Sequence, residues 1–220
     1  GKRRLVKLLK RDALVLEANS LKDTELRTYF QKQAHQEGLT FDKGVFEELL
    51  VKSSFDFSDI QKNLAFLKGY KTEGNISSQD IMEAIPKSLQ DNIFDMTQLL
   101  LRGQIQDVRE LVHDLRLQGE DEIKLIAVML GQFRTYLQVK LLSAQGKSEQ
   151  QIVSSLSDYL SRKVNPFQVR YAIRDSRHLS VAFLKTTIKT LVETDYQIKT
   201  GTLDKDYLLD LALLKIASNS

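Results

Sequence analysis

EDEIKLIAVMLGQFRTYLQVKLLSAQG, residues 120–146, is the longest helix signal in the chain, and its reading decides the fold. Ile126, Leu130, Phe133, Leu137 and Leu141 recur at the spacing of one helix face. Met129, Tyr136 and Leu142 widen that face, which predicts a central helix. Ala127, Gly131 and Arg134 share another face, where small residues permit a neighbour to approach closely.

Helical patterns continue on both sides of this stretch. IFDMTQLLLRG (93–103) and IQDVRELVHDLRLQG (105–119) precede it, each ending in glycine. SEQQIVSSL (148–156), VNPFQVRYAIRDSRH (164–178), SVAFLKTTIKTLVETDYQIKT (180–200) and DKDYLLDLALLKIA (204–217) follow it. The last is apolar almost all round, which predicts burial on most sides. Residues 89–220 therefore read as one large helical domain.

Residues 18–88 read as a smaller helical bundle. Ser20 is placed to cap LKDTELRTYFQKQAHQE (21–37), and Gly38 to stop it. Thr40 or Asp42 opens DKGVFEELLVKS (42–53). In FDFSDIQKNLAFLKGY (55–70), Ile60, Leu64 and Leu67 form an apolar stripe. In SSQDIMEAI (77–85), Asp80 closes a turn near the helix start. Pro86 disfavours helix at the residue before it and marks a domain boundary. The one strand candidate is Leu14-Val15-Leu16, and a strand needs partners to pair with. With its first residues GKRRLVKLLK and no initial methionine, the chain reads as a piece of a longer one, residues 1–17 being the tail of a truncated domain. The expected class is all-α, two helical domains with a remnant strand near the N-terminus.

Of the 220 residues, 42% are hydrophobic and 28% charged, enough for packed cores. A net charge of +3 is too mild to require a nucleic-acid partner, so any such role must come from local clusters. Without cysteine there is neither a disulfide frame nor a thiolate metal site. No apolar run approaches the roughly 20 residues of a membrane span. Phosphate-binding loops of the GxxxxGK[ST] or GxGxxG type and GxSxG turns are missing. His35, His113 and His178 are scattered, and Asp204 and Asp206 suit the start of a helix. No catalytic, cofactor or metal site is expected.

Two features stand above this background. Leu184, Ile188, Leu191, Asp195 and Ile198 follow one stripe, an acid among hydrophobes. A buried carboxylate needs a paired donor, so one expectation is an ion pair between Asp195 and Arg134; the other places Asp195 in water at the stripe's edge. The second feature is basic clustering. Lys2, Arg3, Arg4, Lys7, Lys10 and Arg11 crowd the start, and Arg162, Lys163, Arg170, Arg174 and Arg177 crowd a second site. Asn165 can cap a helix begun by Pro166, which puts Arg170, Arg174 and Arg177 on one face and Val169, Ala172 and Ile173 on the other. A helix-turn-helix does not fit, because SDYLSRKVN (157–165) is too long a turn and lacks glycine. Asn and Gln, which read bases, are sparse on the stripe.

The runs GEDEIKLIAVMLGQFRTYLQVKLL, NPFQVRYAIRDSRHLS and LVETDYQIKTG, in this order, resemble the C-terminal part of the delta subunit family of bacterial DNA polymerase III. Gln132-Phe133-Arg134 is the most characteristic element. LKDTELRTYFQKQAHQEGLTFDKGVFEELL and DFSDIQKNLAFLKGY look like the second domain of the same family. The resemblance implies a non-catalytic clamp-loader subunit of a DNA-directed DNA polymerase holoenzyme. Residues 1–17 would close an AAA+-like domain, 18–88 would form a lid-like domain and 89–220 a collar domain. The collar would join the gamma/tau and delta prime subunits. Primed DNA would be met in the full complex, and the sliding clamp only through the missing N-terminal domain. It implies a bacterial cytoplasmic setting, no cofactor and no membrane. Arg170, Arg174, Arg177 and Tyr196 are the candidate DNA-facing residues. The alternative is a free-standing helical DNA-binding protein using the Arg170/Arg174/Arg177 face.

Overall fold

The computed structural model describes residues 23–161, 164, 166–201 and 203–219. Several expectations lie outside these residues: the strand at Leu14–Leu16, the cap Ser20, the basic residues from Lys2 to Arg11, Arg162, Lys163 and Asn165. The chain divides into two units, one ending at Pro86 and the other beginning at Lys87. Ile85 is extended ahead of the proline, as the ring's clash with the preceding residue requires.

The smaller unit contains α1 (Asp23–Gln36), β1 (Leu39–Phe41), α2 (Val45–Lys52), α3 (Phe57–Tyr70), β2 (Gly74–Ile76) and α4 (Ser78–Ala84). Caps fix the starts of two of these helices. Asp56 accepts from the Asp59 amide to open α3, and Ser77 and Asp80 form a reciprocal capping box at α4. The strands were not anticipated. They pair in parallel, Leu39 opposite Gly74 and Phe41 opposite Ile76. Thr40 therefore lies in β1, and neither it nor Asp42 caps α2 with its side chain. That helix starts behind Gly44 in the left-handed region, without a side-chain cap. Gly38 ends α1 at φ +81°, and a Cβ there would meet that of Glu73 at 3.4 Å, so the residue suits both the helix stop and the turn beside the strands. Phe30, Leu49, Leu50, Ile60, Leu64, Leu67 and Ile76 form the core. Asn63 donates to Ser53 Oγ at 2.9 Å, and that hydroxyl donates to Leu49 O at 2.8 Å, so the buried polar groups between α2 and α3 are satisfied.

The larger unit contains α5 (Leu89–Leu101), α6 (Ile105–Leu117), α7 (Glu122–Ala144), α8 (Glu149–Leu160), α9 (Pro166–Asp175), α10 (Val181–Lys199) and α11 (Lys205–Ser218). Helix α7 is central, packing on α5, α8, α9, α10 and α11. Its strongest neighbour, α10, runs antiparallel to it. Phe183 near the start of α10 meets Phe133 edge-on at 6.4 Å. At the other end, Lys205, just past α10, reaches Asp121 and Glu122 at the start of α7.

The buried face of α7 follows Glu122, Leu125, Ile126, Met129, Leu130, Phe133, Tyr136 and Val139. The expected stripe holds as far as Phe133 and then departs. Leu137 is half-buried and Leu141 exposed, because the second half of α7 turns toward α9. There Lys140 Nζ donates to the carbonyls of Ser176 and Arg177, both at 3.1 Å, closing the C-terminal end of α9. Gln132 bridges α7 to α5: its Oε1 lies 2.9 Å from Thr97 Oγ1, and its Nε2 donates to Tyr136 Oη at 2.8 Å. Burial pushes the Tyr136 phenol up to about 12, so it stays protonated.

Candidate interaction surfaces

The start of α7 holds the most concentrated charge chemistry in the larger unit. Glu122 is only 4% exposed. Arg116 Nε, from the end of α6, donates to its Oε1 at 2.8 Å, and Lys205 Nζ, from the start of α11, lies 2.9 Å from its Oε2. Asp121 Oδ2 also accepts from Lys205 at 2.8 Å, while Asp206 and Asp210 stand 3.7 and 3.6 Å from Arg116. Burial raises the Glu122 pKa, but hydrogen bonds from Lys205, its own backbone and Arg116 outweigh that and hold it at about 2. One carboxylate thus ties three helix ends together. Asp204 caps α11 by accepting from the amides of Asp206 and Tyr207, so these acids belong at the helix start, as their positions suggested.

Helix α9 opens at Pro166, buries Val169 and Ala172 and exposes Arg170 and Arg174, but it ends at Asp175, so Arg177, also exposed, lies past the helix in the turn before α10 and not on the expected face. Its charges are partly engaged. Arg170 forms a forked contact with Glu149 at the start of α8, with Nη2 3.0 Å from Oε1. Arg174 Nε donates to Asp175 at 2.7 Å, and its guanidinium lies 5.0 Å from the Tyr171 ring centre. Helix α8 extends to Leu160, further than the sequence suggested, so Ser157 to Leu160 belong to the helix and not to a turn. Side-chain engagement, rather than turn length, now argues against a base-reading helix on this face.

Arg134 and Asp195 are not brought together. Asp195 accepts from Lys199 Nζ one turn along its own helix at 2.7 Å. Arg134 is exposed on α7 and makes no ion pair with any described residue. The antiparallel packing explains this: Phe133 lies opposite Phe183, near the start of α10, whereas Asp195 lies near its end, three turns away. The acid sits at the edge of its stripe, where a local lysine reaches it. Asp195→Asn is therefore expected to change the unfolding free energy in urea by less than about 0.5 kcal/mol, the scale of an i,i+4 pair. A loss of 2 kcal/mol or more would require a buried partner.

Helix α11 corrects another expectation. It buries Leu208, Leu209, Ala212, Leu213 and Ile216, but its opposite edge is open. Leu203, Tyr207 and Leu214 are 57, 56 and 40% exposed. On the helix itself, Tyr207 and Leu214 lie in line with half-buried Leu211, an apolar edge two turns long, and Leu203 stands just before the Asp204 cap. Apolar residues all round a helix can serve two contacts, one of them inside the chain; the sequence cannot say that the other is left uncovered. Tyr196, at 68%, is the most exposed aromatic of α10. Among the described residues no helix is long and apolar enough to cross a membrane.

Residues 90–216 match the family described as DNA polymerase III delta subunit, C-terminal domain. Over 98% of its length the chain is 32% identical to DNA polymerase III subunit delta of Bacillus subtilis (strain 168), of which it spans 60%. The solved structure of the Bacillus subtilis DNA clamp loader delta protein (YqeN) is similar at a TM-score of 0.71 and 31% identity, over 90% of this chain and 57% of that one. This chain belongs to the DNA polymerase III delta subunit family.

Proposed function

We propose that this chain supplies the lid-like and collar parts of a clamp-loader delta subunit, a non-catalytic component that helps place the sliding clamp on primed DNA in the bacterial cytoplasm. The observation that carries this reading is the match to a clamp-loader delta protein across 90% of the chain, spanning both units in order. The larger unit would join the gamma/tau and delta prime subunits in the collar, and the clamp would be gripped by the part of the relatives that this chain does not span. Arg170, Arg174, Arg177 and Tyr196 would face DNA in the assembled complex, through weak, salt-sensitive contacts. A free-standing DNA-binding protein is disfavoured, since Glu149 and Asp175 already engage two of the three arginines of its supposed working face.

The apolar edge of α11 supports the assembly reading at residue level. An exposed stripe of this kind marks a protein contact more readily than a solvated surface. Leu214→Asp should weaken complex formation with the other subunits tenfold or more, because a charge would have to be desolvated in the contact. The same change should leave the isolated chain's melting temperature within a few degrees of the parent, since Leu214 already faces water. Titration calorimetry with the partner subunits, beside a thermal melt, checks both. Unchanged affinity would remove α11 from the interface, and no binding by either protein would count against the assembly role.

A further inference from the structure

Lys185, Lys189, Val192 and Tyr196 project from α10 at intervals of four, three and four residues, which puts all four on one narrow stripe. The stripe lies opposite the buried side chains Phe183, Leu184, Thr187, Leu191 and Thr194, so it points away from the core. It covers about 16 Å along the helix. Lys185 makes no ion pair with any described residue. Among the described residues Lys189 has only the loose, water-exposed contact to Glu193 at 3.8 Å, which offers little resistance to exchange for a phosphate. The other nearby acid, Asp195, is off the stripe and held by Lys199. Arg177, exposed in the turn before α10, extends the positive charge beyond the helix start.

We propose that the outer face of α10 is a track for single-stranded nucleic acid, in which Lys185 and Lys189 hold backbone phosphates and Tyr196 stacks against a base. Lysine ammonium groups match phosphate without regard to sequence, and an open aromatic ring gives an unstacked base a face to lie on. Val192, between the lysines and the tyrosine, supplies apolar surface under the sugar. A duplex keeps its base faces inside its own stack and would leave Tyr196 unused, which is why a single strand is the better occupant. The inference rests on the reading that this chain works beside DNA, and it adds residues on a different helix from the arginine face of α9.

Fluorescence anisotropy of a labelled oligothymidine, titrated with the whole chain over a series of salt concentrations, tests it. Tyr196→Ala should weaken binding about tenfold, and Tyr196→Phe should restore most of the loss. Lys185→Gln with Lys189→Gln should lower the slope of log affinity against log salt by roughly 0.7 per lysine. Arg109→Gln, at an exposed position of α6, should behave as the parent, and circular dichroism should be the same for all variants. The proposal is overturned if the α10 variants bind as the parent does, if a duplex is bound equally with the same variant pattern, if polyglutamate competes as well as oligothymidine, or if nothing binds at low salt. Subunit assembly is measured separately, so a chain that assembles but ignores the oligonucleotide sinks this inference and leaves the assembly reading standing.

Discussion

Phe133→Ala is expected to cost the larger unit about 3–5 kcal/mol, the range for emptying a phenylalanine site in a packed core. The ring is fully buried and meets Phe183 at 6.4 Å and Tyr136 at 6.0 Å, both edge-on. It sits where α7 and α10 make their main contact, so the surrounding backbone is held by two long helices and cannot collapse into the space. The two units have separate cores, with Phe133 in one only. Scanning calorimetry should then show a lowered transition for the larger unit and an unmoved one for the smaller. A variant that melts like the parent would mean the α7–α10 contact is not the centre of this core.

Glu122→Ala is expected to destabilise the same unit by about 2–3 kcal/mol. Breaking a wholly buried ion pair costs about 3–5 kcal/mol. Here the stranded cations keep other partners in Asp121, Asp206 and Asp210, and Lys205 is half open to water, which reduces the penalty. The effect also has a pH signature. The Glu122 carboxyl titrates at about 2 in the folded chain against an ordinary 4.5. Its contribution is therefore complete above about pH 4.5 and is lost as pH falls toward 2. Asp206 works in the opposite sense, because its hydrogen bond to Glu122, followed by burial, raises its pKa. That part is present at low pH and fades as pH rises through the raised value. The net expectation is a parent protein whose stability drops between pH 4.5 and 2, and a Glu122→Gln variant whose curve is flatter there. Urea melts across that range decide it; parallel curves would show that Glu122 is not held in its ionised form.

Much of the helical plan is legible in the sequence because it rests on local chemistry. Ser77 and Asp80 announce α4, Pro86 separates the units, and Gly38, Gly103 and Gly119 stand just past helix ends with positive φ. What escapes is set by tertiary contact. The strands at Leu39–Phe41 and Gly74–Ile76 have three residues each, too few for an alternating pattern, and each exists only because the other lies beside it. The turn of the α7 face toward Val139 depends on where α9 packs.

The buried acid of the larger unit is Glu122, while Asp195 takes the second of its two expected places, at the edge of its stripe. Glu122 lies four residues before Ile126 on the same apolar stripe, the very signal read at Asp195, with Arg116 only six residues upstream across a glycine turn. Asp195 has a lysine one turn away, at a spacing that favours a local pair over a buried one. Arg134 stayed on the solvent side because Ala127 and Gly131, its face-mates, are also exposed; small residues allowed a close approach there that no described helix makes.

Size-exclusion chromatography with light scattering decides whether this chain is an assembly subunit. The purified chain is mixed with the gamma/tau and delta prime subunits of the same bacterium, and separately with primed DNA alone. One stoichiometric complex with the subunits is expected, with only weak, salt-sensitive association with DNA. Tight DNA binding with no subunit complex would contradict it and return the arginine face of α9 to the working surface.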